Sequence, residues 1–399
     1  MFDGWWVVAS VFVLLVVNAG LGFYGLAIYL EAITSEQGFS TGSVSLATSL
    51  FFLVSAIAGR LIAPVIETRD VRIVVAIGGV VAAVGLILIG RSTSLLVLYP
   101  SYVVFAVGVG LSGLVPATTL VTRWFQARRS VALSIASSGL SVGGLTIALV
   151  ASNLIDSRGM NGAAPWLALI YVAVVALSLV ALWPSPESRN TTPDGVDTRT
   201  ATEAPGAAGV LYDTAIGSPF FRLVTIGFVL AMGAQVGGIA QIAKLGTERI
   251  DRPAGALAIS GIALSSVIAR LVGGVVATKI PLITMTWFLA GVQGFTLLWI
   301  SQVNSRATLL AAAILFGATI GNLLMLQPLV VAHHFGVVNY PRIFALQQLI
   351  VLGFGVALGP YLLGILHDLS SYELSYIVAG CMSLGGATFC LVGSRRQAL

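Results

Sequence analysis

Charge is what this chain has least of. Asp, Glu, Lys and Arg fill 9% of its 399 positions while apolar types fill 57%, and a water-soluble domain needs roughly a quarter of its residues charged to cover its surface. A soluble globule is therefore excluded. Cysteine is nearly missing. Cys381 and Cys390 are nine residues apart on one expected helix, about 13 Å along its axis and too far for a disulfide, so they read as packing residues. The three histidines, His333, His334 and His367, sit at the edges of apolar runs without the carboxylate or thiolate company of a metal site. No nucleophile with its base and no nucleotide-binding loop appears, which argues against an enzyme and calls for no cofactor. The net charge of +5 comes from loop residues and is poor ground for a nucleic-acid partner.

What the sequence does have is long apolar runs, twelve of them between Trp5 and Val392. A span needs about 20 mainly apolar residues to cross a hydrocarbon core about 30 Å thick, and these runs are too long and too unalternating for barrel strands. The expected fold is an all-α membrane protein whose partner is the lipid bilayer. Helices are expected near 5–29, 44–66, 72–90, 95–119, 130–152 and 164–183, then near 220–243, 254–277, 282–301, 306–332, 342–366 and 374–393. Between the two sets of six, residues 184–219 turn to Pro, Thr, Asp, Glu and Gly, a composition that reads as a flexible tether. A short interfacial helix is expected near its end, at Tyr212 to Pro219.

The loops on the side of the termini carry twelve Lys and Arg against six on the other side. The positive-inside bias then puts both termini in the cytoplasm of a multi-pass plasma (inner) membrane protein. The opening MFDGWWVV has neither a basic leader nor a small-residue cleavage site, so the first span is expected to be retained.

An internal repeat organises the runs. At an offset of 210 residues, RLIAPVIETR from Arg60 falls on RLVGGVVATK from Arg270, and Trp124 and Phe125 fall on His334 and Phe335. Two homologous six-helix halves follow, 1–183 and 220–399, joined by the 184–219 linker. Parallel repeats of this kind are a transporter design with a site near the midplane that is exposed alternately to each side.

GWWVVA at Gly4 to Ala9, WFQARRSVALSIASSGLSVGG at Trp124 to Gly144, and FGVVNYPRIFALQQLIVLGFGVALGPYLLGILHDLSSY at Phe335 to Tyr372 resemble the monocarboxylate-transporter and oxalate/formate-antiporter branch of the major facilitator superfamily. The resemblance implies twelve transmembrane helices in two pseudo-symmetric six-helix bundles and transport of small organic anions by alternating access. Gly139, Gly143, Gly144, Gly353, Gly355 and Gly359 suit close helix approach, and Pro360 suits a bend. The loop after the second span departs from the superfamily's GxxxDRxGRR pattern: Ala63, Glu67, Thr68, Asp70, Val71 and Arg72 stand there. Glu67 is either an interdomain gating partner or part of an ordinary solvated loop. Arg72, with Arg128 and Arg129 of the WFQARR stretch, belongs to the same set of gating or coupling candidates.

Arg270 is the leading substrate-binding candidate. It lies about 24 Å along its helix from Ala254, and a cation at that depth is costly unless it meets a partner or a wet cavity. A guanidinium can hold a carboxylate bidentately, and the resemblance implies the same role, since an arginine in the eighth helix is the branch's usual anion partner. Arg60 occupies the matching place in the repeat; it is either a further coupling residue or a side chain that snorkels or braces helices. Asn322 and Asn18 reach comparable depths. Tyr24, Tyr102, Gln241, Gln327 and Gln347 are further donors and acceptors, for a substrate or for interhelical hydrogen bonds.

Absences narrow the mechanism. The resemblance implies an Asp four residues before the anion-binding Arg, and Ser266 stands there; the oxalate carriers' lysine of the eleventh helix has no counterpart either. Glu31, at the outer end of the first span, is the remaining candidate for titration at an outer gate. The expectation is a secondary carrier for a small carboxylate, preferably a monocarboxylate like lactate, pyruvate or an aromatic acid, moving with a proton or against a counter-anion. The alternatives are an exporter of amphipathic compounds and a non-transporting membrane sensor on the same fold. Nothing in the sequence sets an oligomeric state.

Overall fold

The computed structural model describes residues 2–183, 185–186, 192–195 and 209–396. Among these there are helices and no strands. In chain order the long helices are α1 Gly4–Gln37, α2 Ser43–Thr68, α3 Val71–Gly90, α4 Leu95–Trp124 and α5 Arg129–Leu179. The short α6 Tyr212–Gly217 follows. Then come α7 Pro219–Arg249, α8 Pro253–Val276, α9 Leu282–Ser301, α10 Arg306–Phe335, α11 Tyr340–Leu369 and α12 Tyr372–Ser394.

Eleven of these are long and apolar enough to cross a bilayer, yet they have the length for twelve crossings. The reason is α5, whose 51 residues would stretch to roughly 76 Å against a core of about 30 Å. It turns back at Gly159, which has φ 68° and ψ 168°, a conformation that only glycine adopts without strain. The loop expected between the fifth and sixth spans is thus reduced to a glycine break.

Local chemistry sets the other boundaries. Ser40, Asp70, Ser218, Asp251 and Ser371 each accept a hydrogen bond from a backbone N–H in the first turn of the helix they precede, which satisfies donors that the helix cannot. Gly38 closes α1 in the left-handed conformation. Outward faces are apolar: on α3, Ile73, Ile77, Val80 and Val84 are exposed at helical spacing while Val75, Ala82 and Leu86 are buried. A helix apolar on all sides is a membrane span.

The chain groups into two compact units. One is Met1–Gly209 with Gly336–Leu349, the other Val210–Phe335 with Ile350–Leu399, so the first turns of α11 group with the first unit. Within each unit the same crossing recurs. In the first, a Cβ on Gly139 or Gly143 of α5 would land on the Phe12 or Val16 carbonyl of α1. In the second, a Cβ on Gly355 of α11 would meet the Val229 carbonyl at 2.7 Å and one on Gly359 would land on the Gly233 carbonyl of α7. Beside each crossing the backbone widens into a π-turn, Gly20–Tyr24 in α1 and Val351–Val356 in α11. The halves share this packing because both crossings require small residues at a four-residue spacing.

The linker is not a plain tether. Residues 184, 187–191 and 196–208 lie outside the described residues, α6 forms where the short helix is expected, and Asp194 folds back onto the first unit. Its Oδ2 accepts from the N–H groups of Gln126 (2.8 Å) and Ala127 (2.6 Å), and Oδ1 accepts from that of Arg128 (3.3 Å). Three backbone donors converge there because the chain turns into α5 at this loop, and a carboxylate at a helix start is favoured by the dipole.

Gly359→Ala should lower the unfolding temperature of the detergent-solubilised protein, consistent with about 1–3 kcal/mol of overpacking. Gly364→Ala should not, since nothing lies within 4 Å of a Cβ there. Equal effects in thermal unfolding would contradict the tight crossing.

Candidate functional site

Arg270 is 1% exposed and therefore among the largest fully buried side chains of the protein. It sits on α8, and its Nε donates to the Gly321 carbonyl of α10 at 2.8 Å. The next residue of α10 answers in the other direction: Asn322 Nδ2 donates to the Ala269 carbonyl of α8 at 3.0 Å and to Ala318 of its own helix at 2.9 Å. The helices come this close because Gly321 faces the Ser266 carbonyl and Gly273 faces the Asn322 carboxamide, where any Cβ would collide. Sequence reasoning paired Arg270 with Asn322 by depth. The structure makes them neighbours.

The other substrate candidates divide between the units. Asn18 braces three helices of the first: its Nδ2 donates to the carbonyls of Leu14 (2.9 Å) and Ser112 (3.2 Å), and its Oδ1 accepts from Tyr171 Oη at 2.8 Å. These bonds match the interhelical alternative. Tyr24 is exposed, packs on Phe23 and lies over Gly144. Tyr102 is buried in the first unit. Gln347 is buried in the first unit and Gln327 in the second, and each leaves one amide atom without a hydrogen bond, as Gln241 of α7 does. Gln235, also on α7 and not singled out from the sequence, is 2% exposed with its Oε1 unbonded. Its position inside GAQVGG, a glycine-lined stretch of helix, is the signal that marks it.

The gating candidates of the α2–α3 and α4–α5 loops fall into three local arrangements in the first unit. Glu67 Oε2 lies 2.9 Å from Arg342 Nε, and the charges of Arg123 and Arg60 also bear on it. Arg123 Nη2 donates to the Ile66 carbonyl at 2.9 Å, and Tyr340 Oη, two residues before Arg342, donates to Thr118 Oγ1 at 2.9 Å. Arg72 turns to its own helix cap, with Nη2 2.6 Å from Asp70 Oδ2. That hydrogen bond holds the Asp70 carboxyl below its ordinary range, so its small contribution is present at neutral pH and lost as pH falls through the lowered value. Arg129 caps the end of α4, with Nε donating to the Phe125 carbonyl at 2.9 Å and Nη2 to Thr122 at 3.4 Å. The peptide N–H of Arg128 goes to Asp194.

Glu31 stands in company that the sequence reading missed. It lines a cleft of about 310 Å³ with Glu36 and Asp156, and Glu36 Oε1 accepts from the Met160 N–H at 2.8 Å just past the Gly159 break. Among the described residues no group of His, Cys, Asp and Glu converges as a metal site would. Of the repeat pairs, Trp124 lies with its ring 6.3 Å from that of Trp183 between centroids while His334 stacks on Phe220 at 3.7 Å, so the matched positions keep an aromatic contact at the ends of α4 and α10.

The sequence model of the Major Facilitator Superfamily matches residues 11–350. Monocarboxylate transporter 13 of Rattus norvegicus is 26% identical over 321 residues, 79% of this chain and 72% of that protein. Among solved structures, the transporter FucP in the outward conformation superposes with a TM-score of 0.74 at 13% identity, covering 97% of each chain. The human organic anion transporter MFSD10 does so with a TM-score of 0.73 at 14% identity, covering 97% of this chain and 99% of that one.

Removing the docked carboxylate should be visible locally. In Asp194→Ala the amides of residues 126–128 should exchange with deuterium about tenfold faster, the loss expected for charge-assisted hydrogen bonds. Unchanged exchange would contradict the docking.

Proposed function

This chain belongs to the Major Facilitator Superfamily, a family of membrane transporters rather than enzymes, and we propose that it carries a small monocarboxylate by alternating access. The observation that carries this reading is the burial of Arg270 within a span. A guanidinium among apolar helices is kept only where it has polar partners, and Nε anchoring to the Gly321 carbonyl gives it a set orientation. A planar, permanently charged fork suits a carboxylate in the way a point charge does not. Among the described residues Arg270 is the one buried cation, which matches one carboxylate better than two. The relatedness to a monocarboxylate transporter supports the same substrate class.

Because Arg270 is 1% exposed, the carrier cycle must uncover it to each compartment in turn. The amides of Gln235, Gln241 and Gln327 in the same unit, each with a buried unbonded atom, are suited to a hydrated path, since leaving such atoms dry costs about 1–3 kcal/mol each. Glu67 with Arg342 is the coupling pair in this reading, broken whenever the first turns of α11 leave α2. Ser266 stands one turn before Arg270, where a carboxylate would be needed for proton relay beside the anion. In this reading a proton travels on the substrate or titrates Glu31 at the outer gate, or the exchange is with a counter-anion. The location is the cell membrane with both termini in the cytoplasm, as the excess of Lys and Arg in the loops on that side favours.

In proteoliposomes the purified protein should take up or exchange labelled lactate, pyruvate or benzoate saturably, and Arg270→Ala should reduce this at least about tenfold with thermal unfolding intact. Full transport by the folded variant would refute the assignment.

A further inference from the structure

The two residues drawn together at the α8–α10 crossing do different jobs. An asparagine has two N–H donors, and in Asn322 both are committed, one to Ala269 and one to Ala318. What remains is Oδ1, an acceptor that is buried without a hydrogen bond and closed over by Gly273. An acceptor repels a carboxylate. Asn322 therefore has nothing to offer the charged group of the substrate, although it adjoins the residue that does.

Its bond to α8 nevertheless acts on the guanidinium. Arg270 of α8 donates to Gly321 of α10, and Asn322 of α10 donates to Ala269 of α8, so adjacent residues on each helix clasp the other helix in opposite directions. Sliding either helix along the other breaks both bonds together. A free arginine side chain has many rotamers, and bidentate capture needs the fork held to within about 10–20°. The Gly321 carbonyl can supply that only if α10 keeps its register on α8, and the Asn322 amide makes a polar bond that fixes the register beside it. Gly273 and Gly321 bring the backbones near enough for the clasp to form.

We propose that Asn322 is a positioning residue for Arg270, which sets the plane of the guanidinium for a carboxylate without touching the substrate. This rests on the reading of Arg270 as the anion's partner, and the experiment separates the two. Transport of lactate, pyruvate and benzoate is measured in proteoliposomes for wild type, Asn322→Ala, Arg270→Lys, the double variant and Arg270→Ala. Asn322→Ser serves as the second substitution at that position, since serine can bond the Ala318 carbonyl of its own helix but is too short to reach Ala269.

Asn322→Ala and Asn322→Ser should each raise KM at least about tenfold with the maximal rate within about twofold, the signature of lost ground-state binding. Arg270→Lys should do the same, because an ammonium has no plane to orient. The double variant should be no worse than Arg270→Lys alone, since coupled residues are not additive. Multiplying fold-changes in the double variant, or an unchanged KM in both Asn322 variants while Arg270→Ala is inactive, overturns the positioning role alone. Normal transport by Arg270→Ala, or no transport of any of the three acids by wild type, overturns the underlying reading and this one with it.

Discussion

A guanidinium can lie among apolar side chains only if polar atoms hold it, and the second unit is arranged so that a helix backbone does the holding. Arg270 takes the Gly321 carbonyl, which requires α8 and α10 to approach at the distance that only glycine at Gly321 and Gly273 permits. A Cβ at either place would separate the helices and leave the cation desolvated without its acceptor, a loss of several kcal/mol. Close packing, usually a matter of stability, is here the condition for keeping a charge inside the membrane.

The repeat makes the contrast instructive. Arg60 occupies the same register in the first unit, yet it is partly exposed and its charge bears on Glu67 near the end of α2. The first unit uses its interior instead for a neutral brace of Asn18, Ser112 and Tyr171. The halves keep the glycine crossings of α1 with α5 and of α7 with α11 because those are backbone constraints. They differ in buried polar residues, where one half holds a permanent cation and the other holds none of comparable burial among its described residues.

Much of this architecture is legible in the sequence because a bilayer imposes one rule on every span. Apolar runs of the needed length mark the helices, and the matched RLIAPVIETR and RLVGGVVATK stretches mark the halves. The Gly159 turn was less legible, since a single glycine between Arg158 and Met160 replaces the polar loop that normally separates spans. Asp194 was unreadable for a different reason: a carboxylate in a Pro- and Thr-rich linker looks solvated until three backbone donors from residues far away in sequence converge on it. Depth along a helix gives Asn322 and Arg270 a similar level, but depth carries no rotational or hydrogen-bond information. It could not tell that Asn18 is committed to a brace, nor that both Asn322 donors face carbonyls. Gln235 was passed over because an uncharged amide in a glycine-lined helix resembles packing.

The central claim is that the Arg270 guanidinium meets the carboxylate of the substrate. It is tested most directly by solid-state NMR on the protein in lipid, with ¹⁵N-arginine and a ¹³C-carboxylate acid bound, Arg270→Lys serving to assign the signal. A ¹³C–¹⁵N dipolar contact within about 4 Å, the reach of a bidentate pair, that vanishes in Arg270→Lys is the expected result. An acid that binds saturably with no such contact to Arg270 would contradict it.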